Sequence, residues 1–546
     1  MRPEESRSVV EEVVRRVQAD TLTACRGARP GALESLINDA VYHENERLKR
    51  SHDRSREAKA ERSFWRSAQH RLQHASEVDL IALLGDITRF HSEEIVGKFD
   101  PAVYRFTIST IPWIFTVALN TASPRRMLAD LPRLPRIQHN LRIQGELDLV
   151  RKMDDLGTIL LVPTHSSHLD SVTVGWSAFD VGLPPMTYGA GLNLFTNPVL
   201  SFFMHNLGSY RVDRKKKHEL YKDVLKTYAT VTLERGYDNL FFPGGTRSRN
   251  GAIERHLKLG LLGTGLTAFV NNLRRDKPKP NVYVIPCCVS YHLVLEAETL
   301  IEDYLKEEGK SRYIIEDDEA SSPRKWWKFI RNLWQLHSEI VITYSRPLDP
   351  FGNPVDEEGR SLDRRGRTVD PRQFVLRHGD PAHDVQRDAE YTKDLGQAVV
   401  ESYLRDNTAL TTHVLATALL GLLRVRTGQS DVYRLLRLVR PAESFRLREQ
   451  VYPVVTAVLE GVRRRAAAGR MRAADEIARA DAEAVTARAL SHFATYHQEP
   501  VAVRLGADVV VCNKNLVLYY HGRISGYGLD DEAAAAAAAA MGGGQS

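Results

Sequence analysis

Residues 160–176, LLVPTHSSHLDSVTVGW, join an apolar run to a polar loop. A short apolar run of this kind is typical of a strand in the interior of an α/β protein. His165 and Asp170 follow it five positions apart, and a helix that begins near Ser167 or His168 would place Asp170 in its first turn, within reach of His165. Open α/β sheets bind ligands at the carboxyl ends of their strands. The stretch therefore predicts a fold class and, at the same point, a candidate site.

His165 and Asp170 have the residue types of a general base and its orienting partner. A carboxylate that accepts a hydrogen bond from one imidazole nitrogen fixes the tautomer and makes the other nitrogen a better base. The motif holds no protein nucleophile, so the attacking group would be a substrate hydroxyl that His165 deprotonates as its oxygen attacks an activated acyl carbonyl. A capping Asp170 beside a surface His165 is the alternative that the pair alone leaves open.

Strand-like runs recur between residues 155 and 345 and alternate with helix-like stretches. This alternation predicts an α/β domain with a mostly parallel sheet over residues 151–345, flanked by helical regions. The runs are TILLVP (158–163), DNLFFPG (238–244), NVYVIPCCVSY (281–291) and EIVITYSRPL (339–348).

The flanking segments differ from this domain in composition. The stretch 407–423 is apolar nearly all round, which indicates a buried helix, and Asn407 is a suitable N-cap for it. The predicted units are a helical N-terminal region at 1–150, the α/β domain at 151–345, an ordered loop or linker rich in Pro, Gly and Asp at 346–385, a helical C-terminal region at 386–527 and a disordered, alanine-rich tail at 528–546.

Composition and charge restrict the class of partner. At 546 residues, with 43% hydrophobic and 26% charged residues, the chain is expected to fold into about two to four globular units. The net charge of +6 is concentrated in two basic clusters, at 211–218 and 461–472. Such clusters suit phosphate groups or anionic membrane surfaces, and the second is equally compatible with a solvated helix face. No zinc-finger or aromatic-rich RNA-binding signature accompanies them, so no nucleic-acid partner is expected.

The cysteines and the N-terminal segment indicate a reducing compartment. Cys25, Cys287, Cys288 and Cys512 lack metal-ligand spacing and are predicted to be buried, reduced thiols, so no metal site is expected. The opening MRPEESRSVVEE is acidic where a secretory signal is basic and then apolar, which predicts a cytosolic location.

The run 106–122 is the strongest candidate for membrane contact. It is shorter than the roughly 18 uninterrupted apolar residues that a spanning helix needs, and it contains Pro112 and Trp113. A buried helix pair and an interfacial segment at the level of the lipid headgroups are both compatible with this pattern.

Two further segments carry residues suited to an anion. The stretch 239–251, NLFFPGGTRSRNG, follows a strand-like run with a paired-glycine turn and then Arg247 and Arg249. Glycine allows close approach of the backbone to an anion, and guanidinium groups bind phosphate through paired hydrogen bonds. The segment GSYRVDR (208–214) adds Arg214 at another junction of strand and helix.

Taken in order, these motifs resemble the conserved blocks of the glycerolipid acyltransferases, a family that includes the glycerol-3-phosphate and lysophosphatidate enzymes. The similarity covers residues 85 to 525 approximately, and its C-terminal part is similar to the longer bacterial and mitochondrial members. HSSHLD (165–170) resembles the block H-R-S-H-x-D, residues 208–214 resemble G-x-x-F-I-x-R, FPGGTRS (242–248) resembles F-P-E-G-T-R-S, and the apolar strand around Pro286 resembles the fourth block.

The third block departs from the family pattern at one position. Gly244 stands where the usual block has Glu, in a Gly-Gly-Arg form similar to that of the plastid enzymes of the family. The resemblance therefore implies that the role of this carboxylate is either absent here or supplied by another residue.

The resemblance implies an acyltransferase α/β domain and an enzyme that transfers a fatty acyl group to the free hydroxyl of glycerol 3-phosphate, giving lysophosphatidate. His165 would be the general base and Asp170 its partner, with the oxyanion stabilised either at the helix start or by the glycine turn. Implied contacts to the substrate phosphate are Arg247, Arg249, Arg214, Gly245, Thr246 and Ser248, with His168 and Lys258 as further candidates.

The same resemblance implies the partners. The acyl donor would be a coenzyme A or acyl carrier protein thioester, with no cofactor and no metal, and the protein would act peripherally at the cytoplasmic side of a membrane. Dihydroxyacetone phosphate and lysophosphatidate are alternative acceptors. A non-catalytic, membrane-associated scaffold is the alternative from another functional class.

Overall fold

A seven-stranded sheet forms the centre of the protein in the computed structural model. The described part of the chain comprises residues 3–51, 53, 55–109, 141–192, 198–308, 339–439, 442–494 and 497–542.

The sheet is mostly parallel, as the sequence predicted. Its strand order is β1-β7-β6-β2-β5-β3-β4, in which the five strands from β6 to β4 run in one direction, while β7 is antiparallel to β6 and parallel to β1. The carboxyl ends of these five strands therefore meet at one edge of the sheet. The strands are β1 (Leu141–Gly145), β2 (Thr158–Pro163), β3 (Thr187–Gly191), β4 (Ser209–Val212), β5 (Asn239–Leu240), β6 (Val282–Tyr291) and β7 (Ile340–Tyr344).

Strand β2 is covered on both faces, which accounts for its unbroken apolar sequence. Ile159 and Leu161 belong to one hydrophobic core, and Leu160 and Val162 belong to another on the opposite face. The helices of this region are α5 (Leu147–Leu156), α6 (Asp170–Val181), α7 (Pro198–Asn206), α8 (Glu219–Glu234), α9 (Leu259–Leu262), α10 (Thr264–Arg274) and α11 (Ala297–Glu308).

Four N-terminal helices form a third core against α8. Buried Val13, Ile37 and Trp65 share this core with Val224 and Tyr228 of α8. The N-terminal helices are α1 (Pro3–Arg26), α2 (Ala32–Arg50), α3 (Arg56–Leu72) and α4 (Glu77–Ile95), followed by a helical segment at 101–109.

The sheet domain starts earlier in the chain than the sequence predicted. Strand β1 and helix α5 belong to the sheet domain, which therefore begins before the predicted boundary at residue 151. Most of the candidate membrane-contact run 106–122, including Trp113, lies outside the described residues. Within the described ranges, none of the helices is both long and apolar enough to cross a membrane.

The basic cluster at 211–218 is divided between exposed and buried side chains, with Arg214, Lys215 and Lys217 exposed. Lys216 is buried, and its ammonium group lies 2.5 Å from Glu94, 3.4 Å from Glu61 and 3.7 Å from Glu44. Although burial disfavours the ammonium ion, these carboxylates raise the pKa of Lys216. The expectation that the cluster meets phosphate or membrane is therefore corrected for Lys216 alone, because the N-terminal helices supply its anions.

The C-terminal region is helical, with small accessory strands. Residues 346–385 are ordered, through two short hairpins and a 3₁₀ helix at Pro371–Val375. The helices are α12 (Val385–Asp406), α13 (Thr411–Thr427), α14 (Val432–Leu438), a π-helical turn (Leu447–Val451), α15 (Tyr452–Ala467), α16 (Asp475–Arg479), α17 (Ala482–Phe493), α18 (Lys514–Gly522) and α19 (Leu529–Gly542). The strands are β8 (Ser361–Leu362), β9 (Thr368–Val369), β10 (Leu376–Arg377), β11 (Asp380–Pro381), β12 (Thr408–Ala409), β13 (Glu443–Arg446), β14 (Arg472–Ala473), β15 (Ala502–Leu505) and β16 (Asp508–Val511).

The predicted cap at Asn407 is wrong. The buried helix α13 starts four residues later, at Thr411, because β12 pairs with β14 before the helix begins. Asn407 ends α12 instead, and its side chain exchanges hydrogen bonds with Arg523, accepting from Nε at 2.8 Å and donating to the carbonyl at 3.1 Å.

The prediction of a disordered tail is also wrong for residues 529–542, which form α19. Leu529, Ala533 and Ala537 are buried, and Ala533 packs so closely on α13 that a Cβ placed at Gly421 would lie 3.0 Å from its backbone. Alanine is the strongest helix former, and its small side chain permits this close helix contact. Low complexity here marks a tightly packed helix.

The prediction of buried, reduced thiols is confirmed for two of the four cysteines. All four are free thiols, and Cys287 and Cys288 are buried in β6. Cys25 and Cys512 are only partly buried, which corrects the expectation for these two.

The packing of α19 gives a paired test. Ala537→Asp should lower the free energy of unfolding by about 2 kcal/mol or more, because it places a carboxylate in a site without solvent. Ala538→Asp, on the exposed face of the same helix, should change it by less than about 1 kcal/mol. Urea denaturation followed by circular dichroism measures both, and equal losses would contradict the buried position of Ala537.

Candidate active site

His165 and Asp170 meet at the carboxyl end of β2, as the sequence predicted. Helix α6 begins at Asp170, whose carboxylate Oδ2 lies 2.9 Å from His165 Nδ1. The same oxygen accepts from the backbone N–H groups of Ser166 at 2.6 Å and Ser167 at 2.8 Å, and Oδ1 accepts from the Tyr291 hydroxyl at 2.5 Å. The carboxylate is fully buried, and these donors replace its water.

This arrangement fixes the chemical state of His165. Because a carboxylate can only accept, Nδ1 carries the proton, and Nε2 has a lone pair. Within the described residues, Nε2 makes no hydrogen bond, and the side chain keeps 13% of its surface exposed. Burial lowers the pKa of His165, and the charge of Arg247 lowers it further, against the opposing effect of Asp170. The ring stacks on Phe242 with centroids 4.1 Å apart. His165 is thus held as a neutral, oriented base.

Glu254 is a residue of this site that the sequence analysis missed. Its Oε1 accepts a hydrogen bond of 2.7 Å from the backbone N–H of His165. The residue is partly buried, and its Oε2 is shielded from solvent without a hydrogen-bond partner among the described residues. Burial raises the pKa of Glu254 to about 7. It lies outside the recognised motifs, so no sequence signal pointed to it.

The loop after β5 is tied to the loop that carries His165. Ser248 donates its backbone N–H to the His165 carbonyl at 2.8 Å, while its hydroxyl donates to the Ala252 carbonyl at 2.6 Å. Gly245 has a φ of +77°, and its N–H closes a turn onto the Phe242 carbonyl at 3.1 Å. Ser248 thereby joins the two loops, and the phosphate contact expected for it stays a prediction.

Arg247 and Arg214 lie near each other at the same edge of the sheet. Arg247 Nη1 is 3.3 Å from Oε1 of Glu296. Arg214 has no carboxylate partner among the described residues; burial lowers its pKa, and the charge of Arg247 lowers it further. Arg214 is exposed and Arg247 is partly buried, and two neighbouring guanidinium groups that repel each other favour the binding of an anion between or beside them.

Glu296 is a second residue that the motifs did not reveal. It is buried after the end of β6 and accepts from the Ser167 hydroxyl and from the His168 backbone N–H, both at 3.0 Å. Together with its contact to Arg247, these bonds connect the start of α6 to the arginine. Glu296 therefore holds Arg247 at a fixed distance from the His165 loop.

The other residues predicted to contact the substrate phosphate lie around this site and make separate contacts. Arg249 forms an ion pair with Glu307 of α11. Thr246 is exposed, and the Lys258 side chain packs against Gly245, where a Cβ would lie 3.1 Å from its Cγ. His168 lies beside the site through its backbone bond to Glu296.

Arg523 brings the C-terminal region to the site. It is buried and donates to the Val289 carbonyl at 2.6 Å and to the Ser166 hydroxyl at 3.3 Å, in addition to Asn407. Arg523 and Ser166 are 357 positions apart, so sequence spacing could not indicate their contact. The arrangement as a whole can hold an anion beside a neutral base, which suits deprotonation of a hydroxyl on an anionic substrate.

Comparison with known proteins bears on the same residues. Residues 142–290 match the family model described as Acyltransferase. A glycerol-3-phosphate acyltransferase of Pseudomonas paraeruginosa is 28% identical over 357 residues, covering 64% of this chain and 36% of that protein. Proteins of the same name are 31% identical in Haemophilus ducreyi (39% of this chain, 24% of that protein) and in Aeromonas hydrophila (38% and 23%). The chain thus spans about a quarter to a third of the length of these relatives.

The protonation state of His165 can be measured directly. In protein labelled at histidine ¹³Cε1, the His165 resonance should titrate below pH about 6.5, because burial disfavours the imidazolium ion. Asp170→Asn should lower the pKa further, since it removes the charge that favours the imidazolium. The resonance is assigned by its loss in His165→Gln, and a higher pKa in Asp170→Asn would contradict the assigned contact.

Proposed function

We propose that this chain transfers a fatty acyl group from an acyl thioester to the free hydroxyl of glycerol 3-phosphate. The product is lysophosphatidate. The match of residues 142–290 to the Acyltransferase family model supports this proposal. The observation that carries the proposal is the neutral His165, oriented by the buried Asp170 and placed at the same sheet edge as Arg214 and Arg247. The names of the relatives agree with this acceptor.

In the proposed reaction, the phosphate of the acceptor binds at Arg214 and Arg247. Its free hydroxyl then lies beside Nε2 of His165, which takes the proton as the oxygen attacks the thioester carbon. The tetrahedral intermediate collapses by breaking the carbon–sulfur bond, and the proton on His165 passes to the leaving thiolate. Asp170 stabilises the transient imidazolium ion through Nδ1.

The contacts of the helix start narrow the source of oxyanion stabilisation. The backbone N–H groups of Ser166 and Ser167 donate to Asp170, and that of His168 donates to Glu296. These donors are already engaged, and the Gly245 N–H is engaged too, since it donates to the Phe242 carbonyl. A donor to the oxyanion would therefore have to be another backbone N–H of the glycine turn, such as that of Thr246.

Donor and location are parts of the same proposal. The donor is a thioester of coenzyme A or acyl carrier protein, and the reaction needs no cofactor. The lipid product suggests peripheral action at the cytoplasmic side of a membrane. Dihydroxyacetone phosphate and lysophosphatidate remain the alternative acceptors, since each also carries a phosphate and a free hydroxyl that His165 could deprotonate.

The decisive experiment measures thiol release from a long-chain acyl-CoA and from acyl carrier protein thioesters. Glycerol 3-phosphate, dihydroxyacetone phosphate and lysophosphatidate are offered as acceptors in parallel reactions. Release should depend on glycerol 3-phosphate, and His165→Ala should lower kcat by about 10³-fold or more, because the general base is lost. His70→Ala, on the exposed surface of α3, is the matched control and should retain full activity. Full activity of His165→Ala would contradict the mechanism, and no turnover with any donor and acceptor would favour the scaffold.

The arginines should control acceptor binding. Arg214→Ala and Arg247→Ala should each raise KM for glycerol 3-phosphate by about 10-fold or more, since each removes a charge-assisted bond to the phosphate. Arg66→Ala, at an exposed position of α3, controls for loss of positive charge and should leave KM unchanged. Steady-state kinetics with varied acceptor measures these values, and unchanged KM in both site variants would contradict the phosphate assignment.

A further inference from the structure

Glu254 and Gly244 fit each other closely at the edge of the site. A Cβ at position 244 would lie 2.8 Å from Cγ of Glu254, 3.2 Å from its Oε1 and 3.4 Å from its Cδ. Contacts under 3.0 Å are too short for carbon atoms, so any side chain at position 244 would displace Glu254. The absence of a side chain at Gly244 is therefore what admits the Glu254 carboxylate.

The carboxylate of Glu254 contacts the backbone of His165 directly. Its Oε1 accepts the His165 backbone N–H at 2.7 Å, whereas Asp170 contacts Nδ1 of the His165 ring. One carboxylate thus fixes the backbone of the base, and another fixes its ring. Both are needed to hold an imidazole in one orientation at the end of a loop.

The segment that carries Glu254 is held by the C-terminal region. A Cβ at Gly251 would lie 2.1 Å from the Tyr519 carbonyl oxygen, and one at Gly522 would lie 1.9 Å from the Asn250 carbonyl oxygen. Helix α18 therefore packs backbone against backbone on this segment. Arg523, which follows α18, also places its positive charge near Glu254, which favours the ionised carboxylate.

From this geometry we propose that Glu254 is a positioning residue for His165 and supplies, from ten positions downstream, the carboxylate that the third block of the family usually has at position 244. This inference rests on the proposed acyl transfer to glycerol 3-phosphate. It explains why the third block has glycine instead of glutamate at position 244: the missing side chain leaves the space that the Glu254 side chain occupies.

A paired substitution tests this coupling. Glu254→Ala should lower kcat by about 10-fold to 100-fold with little change in KM for glycerol 3-phosphate, because the base is misplaced while the arginines are intact. Glu254→Gln should keep kcat within about 3-fold of the unmodified chain, because its amide oxygen still accepts from His165. Gly244→Glu alone should lower both kcat and the melting temperature, because the new side chain meets Glu254.

The double variant Gly244→Glu/Glu254→Ala is the critical comparison. It restores a carboxylate from position 244 and removes the clash, so its kcat should exceed that of each single variant by about 10-fold. A double variant no more active than Glu254→Ala would overturn the proposal, even if its melting temperature is restored, because recovery of stability alone indicates a merely structural pair. Equal losses in Glu254→Ala and Glu254→Gln would also overturn it.

The proposed function can fail separately. If the unmodified chain releases no thiol with glycerol 3-phosphate but does so with another acceptor, the same variants are compared with that acceptor. If it turns over no acyl thioester at all, the proposed function fails, and the ¹³Cε1 resonance of His165 becomes the readout. Its chemical shift should then change in Glu254→Ala and return towards the original value in the double variant, and an unchanged shift in Glu254→Ala would overturn the positioning role.

Discussion

The buried carboxylate of Asp170 is the interaction on which the site depends. An ionised carboxylate without solvent is very costly unless donors surround it, and here the imidazole of His165, two backbone N–H groups and the Tyr291 hydroxyl serve as donors. Burial and the neighbouring Asp170 raise the pKa of Tyr291, which therefore remains a donor. The same bonds that satisfy the carboxylate fold the loop after β2 and orient the base. The hydrogen bonds to Asp170 therefore determine both the conformation of this loop and the orientation of the His165 ring.

The helical regions on either side of the sheet domain both hold parts of the site. Lys216, two residues after Arg214, is fixed by Glu94, Glu61 and Glu44 of the N-terminal helices. Arg523 fixes Ser166 and the end of β6 from the C-terminal side. In the proposed reaction, a small displacement of the base or of an anion ligand would be enough to slow the transfer, so both regions would help to position these groups.

The sequence predicted the elements that follow simple periodic patterns. Strands β2, β6 and β7 are buried throughout and mostly apolar because they are covered on both faces, and their positions were predicted closely. Strand β3, TYGAG, was missed because its glycines interrupt the pattern. The contact between His165 and Asp170 was predictable because it spans a single turn, whereas Arg523 and Glu296 reach the site through tertiary packing that has no local signature. The alanine-rich α19 was misread because burial by neighbouring helices, which composition does not express, decides its order.

The third motif shows why a departure from a family pattern is best judged in three dimensions. Read along the chain, Gly244 is a missing carboxylate. In the fold, the room that this glycine leaves is filled by the side chain of Glu254, whose carboxylate bonds to the backbone of the base. What a site requires is a group at a position in space, and the chain can deliver that group from any residue that its folding brings there. Gly244 is then a condition for the approach of Glu254, and the two positions are constrained together although neither indicates the other in the sequence.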